Sequence, residues 1–223
     1  MKIKDLHNWN VDAKKAVQLQ KRLSGQVLQC RFDKKVKTIA GIDCAISRDE
    51  KDIIACAVIL SAENFQIIEI SYAVRPMTFP YVPGLLSFRE APGCLEAIEK
   101  LSTAPDCIIV DGQGIAHPRR LGLASHLGLF LDTPTIGCAK SRLIGDYIEP
   151  AGKKGSTSPL TSKGEIIGSV VRTRNNVKPV FVSVGNKCSL PDAVRIVLDC
   201  CTKYRLPEAT RQAHQIVSRL KRL

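Results

Sequence analysis

Apolar and basic positions near the start of the chain follow helical spacing. Between Asn10 and Val27 the apolar residues recur near one helical face, and lysines and arginines occupy the opposite face. The apolar positions are Ala13, Ala16, Val17, Leu23 and Val27. Asn10 belongs to the residue types that cap helix N-termini. The pattern predicts an amphipathic, basic helix over about residues 10–28.

Three runs rich in isoleucine and valine follow, and short polar turns separate them. They extend from Val36 to Ile46, from Asp52 to Ser61 and from Phe65 to Val74. Because connections this short join antiparallel neighbours, the runs predict three antiparallel strands in succession.

Helical and strand-like segments alternate after Pro76. Helices are predicted over Leu85–Leu101 with an interruption at Pro92-Gly93, and over Leu121–Leu131, Leu190–Cys201 and Pro207–Leu220. Strands are predicted over Cys107–Val110, Thr135–Cys138, Ile166–Thr173 and Val180–Val184, and a loop over Gly152–Gly164. This order predicts an α/β fold in which helices flank a mixed sheet, formed by one domain that spans residues 1–223.

The composition is that of a globular protein, with 44% hydrophobic and 24% charged residues. It excludes disordered, collagen-like and coiled-coil chains. No apolar run approaches the roughly 20 residues of a membrane helix, and the N-terminus lacks the apolar segment of a secretory signal. The nine cysteines are odd in number and mostly single within apolar stretches, and they form no Cys-x-x-Cys pair. We therefore expect free thiols, no membrane association and a cytoplasmic location.

Positive charge is concentrated at the two ends of the chain. The formal net charge is +12, from 33 basic and 21 acidic residues. Residues 1–40 hold ten Lys/Arg against three Asp, and residues 203–223 hold six against one acidic residue, which together account for the whole excess. Such a balance favours a polyanionic partner, above all nucleic acid, although a solvated surface that maintains solubility has the same composition.

Two aspartates lie at or near the ends of two apolar strands. Asp43 lies toward the end of the first strand, and Asp111 directly follows Cys107–Val110. If these strands are central neighbours, the two carboxylates converge at a distance suited to Mg²⁺ or Mn²⁺, which prefer oxygen ligands. The alternative for either residue is a turn or cap position.

The segment after Asp111 combines small and basic residues. Gly112 and Gly114 allow a backbone to approach a phosphate or a base closely, and His117 and the following arginines can supply positive charge. Glycines after a strand are also common in plain turns, and the segment is neither a P-loop nor a dinucleotide-binding fingerprint.

A stiff turn between Pro80 and Pro83 holds Tyr81. A rigidly held aromatic residue suits insertion between stacked bases, whereas packing against its own turn is the structural alternative. Glu90, early in the next helix, can point back toward Asp43 and Asp111.

Two further polar residues lie near these segments. Lys140 follows a predicted strand, and His214 lies on the flank of the apolar stripe of the last helix. Each residue also fits a solvated or boundary position.

Taken together, these segments resemble endonuclease V, a family of deoxyinosine-specific nucleases with a ribonuclease H-like fold. The matching segments are Gly41–Asp43, Pro80–Glu90, Val110–His126, Pro134–Lys140 and Tyr204–Arg211. The resemblance covers most of residues 36–217 and implies a catalytic core over about residues 36–220. The chain departs from the family pattern at Cys44-Ala45 and at Asn186, and neither position is a proposed metal ligand.

The resemblance implies a role for each candidate residue. Asp43, Asp111 and Glu90 correspond to metal ligands, and Lys140 and His214 to residues near the scissile phosphate. The expected substrate-binding residues are Tyr81 as the wedge and Pro83, Gly84, Gly112, Gly114 and His117 around a flipped base.

The implied reaction is hydrolysis of the second phosphodiester 3′ to inosine, leaving 5′-phosphate and 3′-hydroxyl ends. Mg²⁺ would polarise the phosphate, with Mn²⁺ as a substitute, and the metal or His214 would activate the water. We expect a monomer that acts on DNA containing deoxyinosine, with inosine RNA as a second candidate substrate. The rival interpretations are a structure-specific nuclease of the same fold and a non-catalytic nucleic-acid-binding module.

Overall fold

The computed structural model describes residues 1–222 as five helices and eight strands. The helices are α1 Ala13–Ser24, α2 Leu86–Glu99, α3 Leu123–Leu131, α4 Leu190–Asp199 and α5 Glu208–Leu220. The strands are β1 Thr38–Ile46, β2 Asp52–Ser61, β3 Ile67–Pro76, β4 Cys107–Val110, β5 Thr135–Ala139, β6 Thr157–Ser162, β7 Glu165–Val171 and β8 Val180–Asn186. Apart from β6, which lies in the predicted loop, these bounds differ from the predicted ones by at most four residues.

All eight strands belong to one mixed sheet with the order β3-β2-β1-β4-β5-β8-β7-β6. The first three strands are antiparallel, β1, β4 and β5 are parallel, and β8, β7 and β6 continue antiparallel. The predicted mixed sheet flanked by helices is therefore confirmed. The assumption behind the metal prediction also holds, because β1 and β4 are direct neighbours.

Helices cover both faces of the sheet and create two separate cores. On one face, α2 and α3 pack against alternate residues of β1, β2 and β4. On the other face, α4 and α5 pack against the residues between them. The central strands are therefore buried on both sides, which explains why β2 and β4 are almost continuously apolar.

A close approach between backbones places α5 against the middle of β1. A side chain on Gly41 would overlap the carbonyl group of Ala209, so only glycine allows the helix to lie this near the strand. Ala209 and Ala213 present small, fully buried side chains at the same contact. This packing brings the helix that carries His214 alongside the strand that carries Asp43.

Three local predictions are wrong. Helix α2 continues through Pro92 without interruption, because its buried face packs so closely on β2 that even a Cβ on Gly93 would lie only 3.4 Å from Ala55. The cap of α1 is Asp12 rather than Asn10, and its carboxylate accepts a hydrogen bond of 2.7 Å from the backbone N–H of Lys15.

The third wrong prediction is the loop over Gly152–Gly164, because this segment contains strand β6. The strand pairs with β7 through a tight turn at Lys163-Gly164, where both residues have positive φ angles. Leu160 is its one buried side chain, so this edge strand has the polar composition of a loop.

Within residues 1–222, every helix is too short or too polar to cross a lipid bilayer. The nine cysteines are free thiols, and all except Cys30 and Cys44 are buried.

Candidate active site

The parallel pairing of β1 and β4 brings Asp43 and Asp111 to the same edge of the sheet. Ile42 and Val110 are register partners, and each aspartate directly follows one of them. The backbone N–H of Asp111 donates a hydrogen bond of 3.1 Å to the carbonyl of Ile42, which extends the ladder by one step. The side chains of Asp43 and Asp111 are only 10% and 11% exposed.

His214 completes a cluster with the two aspartates. Its Nδ1 lies 2.7 Å from Oδ2 of Asp43, and α5 holds the ring against the strand end. One ligand atom from each of Asp43, Asp111 and His214 lies within 4.8 Å of the others. A residue on the flank of a helix is thereby part of a site that has the geometry of a metal centre.

Lys140 lies on the other side of Asp111, at the end of β5. Its Nζ is 2.5 Å from Oδ2 of Asp111, so the two groups form an ion pair. Arg205 donates hydrogen bonds from Nη2 to the carbonyls of Lys140 and Pro179, at 2.6 and 2.8 Å. Sequence reasoning missed Arg205 as the support of this strand end, although it lies within the segment Tyr204–Arg211.

The two facing carboxylates raise the energy of the ionised site. Burial raises the pKa of Asp43, and the nearby charge of Asp111 raises it further, while His214 and Lys140 lower it. Two carboxylate oxygens and an imidazole nitrogen form a donor set that suits a hard divalent cation. The residues present therefore fit a divalent metal, which would relieve this repulsion.

Glu90 lies near this cluster but not within it. Burial raises the pKa of Glu90 to about 7, and the charges of Asp43 and Asp111 add to the increase, whereas Arg89 lowers it. Among the described residues, the group whose ligand atoms lie within 4.8 Å of one another contains His214 and not Glu90. The role of Glu90 as a metal ligand stays a prediction, and the structure adds His214 to the candidate ligands.

A cavity of about 370 Å³ opens directly beside Asp111 and Lys140. Of the predicted substrate-binding residues, five line it: Tyr81, Pro83, Gly84, Gly112 and His117. Gly114 lies outside this lining, because its backbone packs against Val184 of β8 and its N–H donates to Ser183 Oγ at 2.9 Å. The volume lies within the range of small-ligand pockets.

Tyr81 stands at the mouth of this cavity with 69% of its surface exposed. The alternative in which Tyr81 packs down on its own turn therefore does not describe the structure. Pro80 and Pro83 restrict the backbone on either side, so the ring is presented to solvent from a stiff support.

The carbonyl of Gly84 is the centre of a polar network in the cavity wall. It accepts hydrogen bonds from Gln20 Nε2 at 3.0 Å, His117 Nε2 at 2.9 Å and Arg119 Nη2 at 2.7 Å. The backbone of Gly84 has a φ angle of +77°, and a side chain there would contact Arg119 at 2.7 Å. Gln20, a buried amide on α1, was not predicted, because its partners lie far away in sequence.

His117 is neutral rather than the source of positive charge that we expected. Burial lowers its pKa to about 4, and the charge of Arg119 lowers it further. Its Nδ1 accepts from the backbone N–H of Arg119 at 3.2 Å, so the proton on Nε2 is the one donated to Gly84. The side chain fixes the shape of the wall.

Comparison with known proteins identifies the family. The endonuclease V family model matches residues 19–215. The chain belongs to the endonuclease V family. Endonuclease V of Trichormus variabilis is 52% identical over 219 residues, which cover 98% of this chain and 99% of the relative. Endonuclease V of Methanothrix thermoacetophila is 48% identical over 214 residues, covering 96% and 94%.

Solved structures of endonuclease V share the fold. The enzyme from Streptomyces avermitilis has a TM-score of 0.92 and 38% identity, covering 100% of this chain and 98% of that chain. Endonuclease V of Ciona intestinalis, in complex with DNA containing an inosine followed by a ribo-adenosine, has a TM-score of 0.84 and 29% identity, covering 95% and 99%. The protein is thus a nuclease, and the expected ribonuclease H-like architecture is confirmed.

The departures from the endonuclease V pattern lie in well-packed positions. Asn186 donates from Nδ2 to Gly128 and accepts from the N–H of Leu28, both at 3.0 Å. Cys44 lies on β1 with its Sγ 3.1 Å from that of Cys94 on α2. Asn186 thus serves to connect segments, and neither residue is among the ligand atoms of the acidic cluster.

Glu90 should make the metal-free protein less stable as the pH rises. Its pKa is about 7 in the fold against an ordinary value of 4.5, so the folded state binds the extra proton between these values. The free energy of unfolding should therefore fall from about pH 4.5 to about pH 7. Glu90→Gln should raise it by roughly 1–3 kcal/mol at pH 8 and leave it similar at pH 4.

Urea unfolding with a chelator at pH 4 to 8 measures this effect. Glu99→Gln, an exposed glutamate on the same helix, is the matched control and should follow the parent profile. Parallel profiles for the parent and Glu90→Gln would show that the carboxyl does not hold its proton in the fold.

Proposed function

We propose that this endonuclease V nicks nucleic acid at the second phosphodiester 3′ to deoxyinosine, as a step in repair of deaminated bases. The strongest support is that the cavity directly adjoins the acidic cluster. The cavity that Tyr81 borders also includes Asp111 and Lys140 in its wall. A base held in the cavity would therefore keep its own strand beside the acidic cluster. The inosine-containing DNA bound by the Ciona relative agrees with this substrate.

The shape and chemistry of the cavity suit hypoxanthine. Hypoxanthine lacks the exocyclic amine of guanine and carries an oxygen where adenine carries an amine. Helix α2 begins at this wall without a side-chain cap, so its first backbone N–H groups, at Leu86 and Ser87, are suited to an oxygen acceptor. A closely packed wall on the amine side would exclude guanine.

Asp43, His214 and Lys140 would act on the scissile phosphate and the attacking water. The Nδ1–H of His214 donates to Asp43, which leaves Nε2 free to accept a proton from water. Lys140 offers positive charge to the phosphate from its position against Asp111. A bound Mg²⁺, or Mn²⁺ in its place, held by Asp43 and Asp111, with Glu90 as a further candidate, would polarise the phosphate and stabilise the leaving 3′-oxygen.

A cleavage assay tests this function directly. Matched strands carrying inosine, adenosine or guanosine, as single- and double-stranded DNA and as RNA, are incubated with Mg²⁺ or with a chelator. We expect one nick, two phosphodiesters 3′ to the base position, only with inosine and only with metal. An unmodified four-way junction is assayed beside these strands. Its cutting in preference to the inosine strands would favour a structure-specific nuclease.

Asp43→Ala and Asp111→Ala should each abolish cutting while DNA binding stays equal or becomes tighter. Removal of a carboxylate removes a metal ligand, but it also removes repulsion against phosphate. Fluorescence anisotropy measures binding on the same strands. Parental turnover in either variant at saturating Mg²⁺ would exclude that residue from the metal site.

Tyr81→Ala should weaken cutting of duplex inosine more than cutting of single-stranded inosine. Displacing a base from a duplex costs a few kcal/mol, and a ring that fills the gap recovers part of this cost. Loss of the ring should reduce duplex affinity by roughly 1–3 kcal/mol.

The measurement is the ratio of duplex to single-strand cleavage rates. Tyr72→Ala is the matched control, since Tyr72 is 51% exposed on β3 and does not line the cavity. An unchanged ratio in Tyr81→Ala would show that the ring is not a wedge.

A further inference from the structure

A series of hydrogen bonds runs from the half-buried His7 in the N-terminal segment, through the buried His126, to the wall of the cavity. His126 on α3 is fully buried. Its Nδ1 lies 3.0 Å from Oγ of Ser87, which helps to line the cavity, and its Nε2 lies 2.8 Å from Nε2 of His7. Nδ1 of His7 lies 2.9 Å from the carbonyl of Asn8.

The carbonyl of Asn8 determines the position of every proton in this series of hydrogen bonds. A carbonyl only accepts, so Nδ1 of His7 must carry a proton, and in a neutral ring its Nε2 is then an acceptor. The proton between the two rings therefore belongs to Nε2 of His126. Nδ1 of His126 is bare, so the hydroxyl of Ser87 must donate to it.

Both imidazoles are held in the neutral form that this assignment requires. Burial lowers the pKa of His126 to about 3, with further contributions from His7 and His117. Burial is also the largest cause of the lowered pKa of His7, which Arg22 lowers further, while the Asn8 carbonyl and Asp5 oppose the change.

Aromatic rings pack around His7 and His126 and fix the geometry of these hydrogen bonds. Trp9 and Phe130 pack on the ring of His7 with centroid distances of 4.5 and 5.1 Å, and Phe88 packs on both histidines.

We infer that Ser87 reads the flipped base as an obligatory hydrogen-bond acceptor and that His7 and His126 impose this role on it. With its proton committed to His126, Oγ has only lone pairs to offer to the cavity. Hypoxanthine carries a proton on N1 and can donate to such a group, whereas N1 of adenine is a bare acceptor and would be repelled. The inference rests on the proposed function and adds to it a side chain that distinguishes the deaminated base from its parent.

Guanine also carries a proton on N1, so Ser87 does not distinguish it from hypoxanthine. Its exclusion depends on the wall near the exocyclic amine. Ser87 is therefore assigned only the rejection of bases that, like adenine, carry no proton on N1.

Ser87→Ala tests the acceptor directly. The substrates are two single strands, one with inosine and one with nebularine, a purine nucleoside whose N1 is bare. The ratio of kcat/KM for inosine to that for nebularine should fall roughly 3- to 10-fold, the loss expected for one hydrogen bond. Ser125→Ala is the matched control, because Ser125 is equally buried on α3 and bonds Val184 instead of lining the cavity. Its ratio should equal that of the parent.

His7→Phe tests the positioning role without changing the cavity wall. Phenylalanine keeps the ring contacts but removes the acceptor that selects the Nε2–H form of His126. The inosine-to-nebularine ratio should fall in His7→Phe and should not fall further when it is combined with Ser87→Ala. A purely structural role of His7 would instead lower both rates equally and would add to the effect of Ser87→Ala.

Nitrogen NMR of the parent and of His7→Phe reports the tautomer of His126 without any substrate. The expected result is a neutral ring protonated at Nε2 in the parent. A ring protonated at Nδ1, or a ratio in Ser87→Ala equal to that of the parent, would overturn the inference while leaving the proposed function intact. Failure of the parent to cut inosine would overturn the proposed function and, with it, the base-reading role of Ser87.

Discussion

The repulsion between two buried carboxylates is the constraint around which this site is arranged. Asp43 and Asp111 face each other because the parallel pairing of β1 and β4 leaves them no alternative position. His214 contacts one carboxylate and Lys140 the other, so each negative charge has a partner on its outer side. The space between them suits a cation. The glycine contact at Gly41 serves the same arrangement, because it lets α5 bring His214 to the strand end.

Charged groups and neutral polar groups are separated in space. The strand ends carry the charged groups, whereas the cavity wall beside them contains the neutral His117, and the neutral His126 lies behind the wall and contacts Ser87. Burial keeps both rings uncharged, so each ring nitrogen has a defined role as donor or acceptor. Under the proposed function, such fixed donors and acceptors would distinguish bases by the positions of their protons, which net charge alone cannot do.

The sequence predicts those features that depend on local pattern. Long apolar runs predict the central strands, and aspartates at the ends of such runs are conspicuous, so Asp43 and Asp111 were predicted from the chain alone. Strand β6 was missed because an edge strand with one buried residue has the composition of a loop. Gln20, Arg205 and the pair His7–His126 were missed because their partners are distant in sequence, and no local pattern reports such contacts. His214 was a candidate only through the family resemblance, because its position on a helix flank does not reveal the carboxylate beside it.

Thermal unfolding in the presence and absence of Mg²⁺ tests most directly whether a cation relieves the repulsion between Asp43 and Asp111. In a chelator, Asp43→Asn should be at least as stable as the parent, because the variant has no facing pair of charges. Saturating Mg²⁺ should raise the unfolding midpoint of the parent and of the exposed control Asp49→Asn, but not that of Asp43→Asn. An equal rise in all three proteins would contradict the account, since it would place the cation away from the two carboxylates.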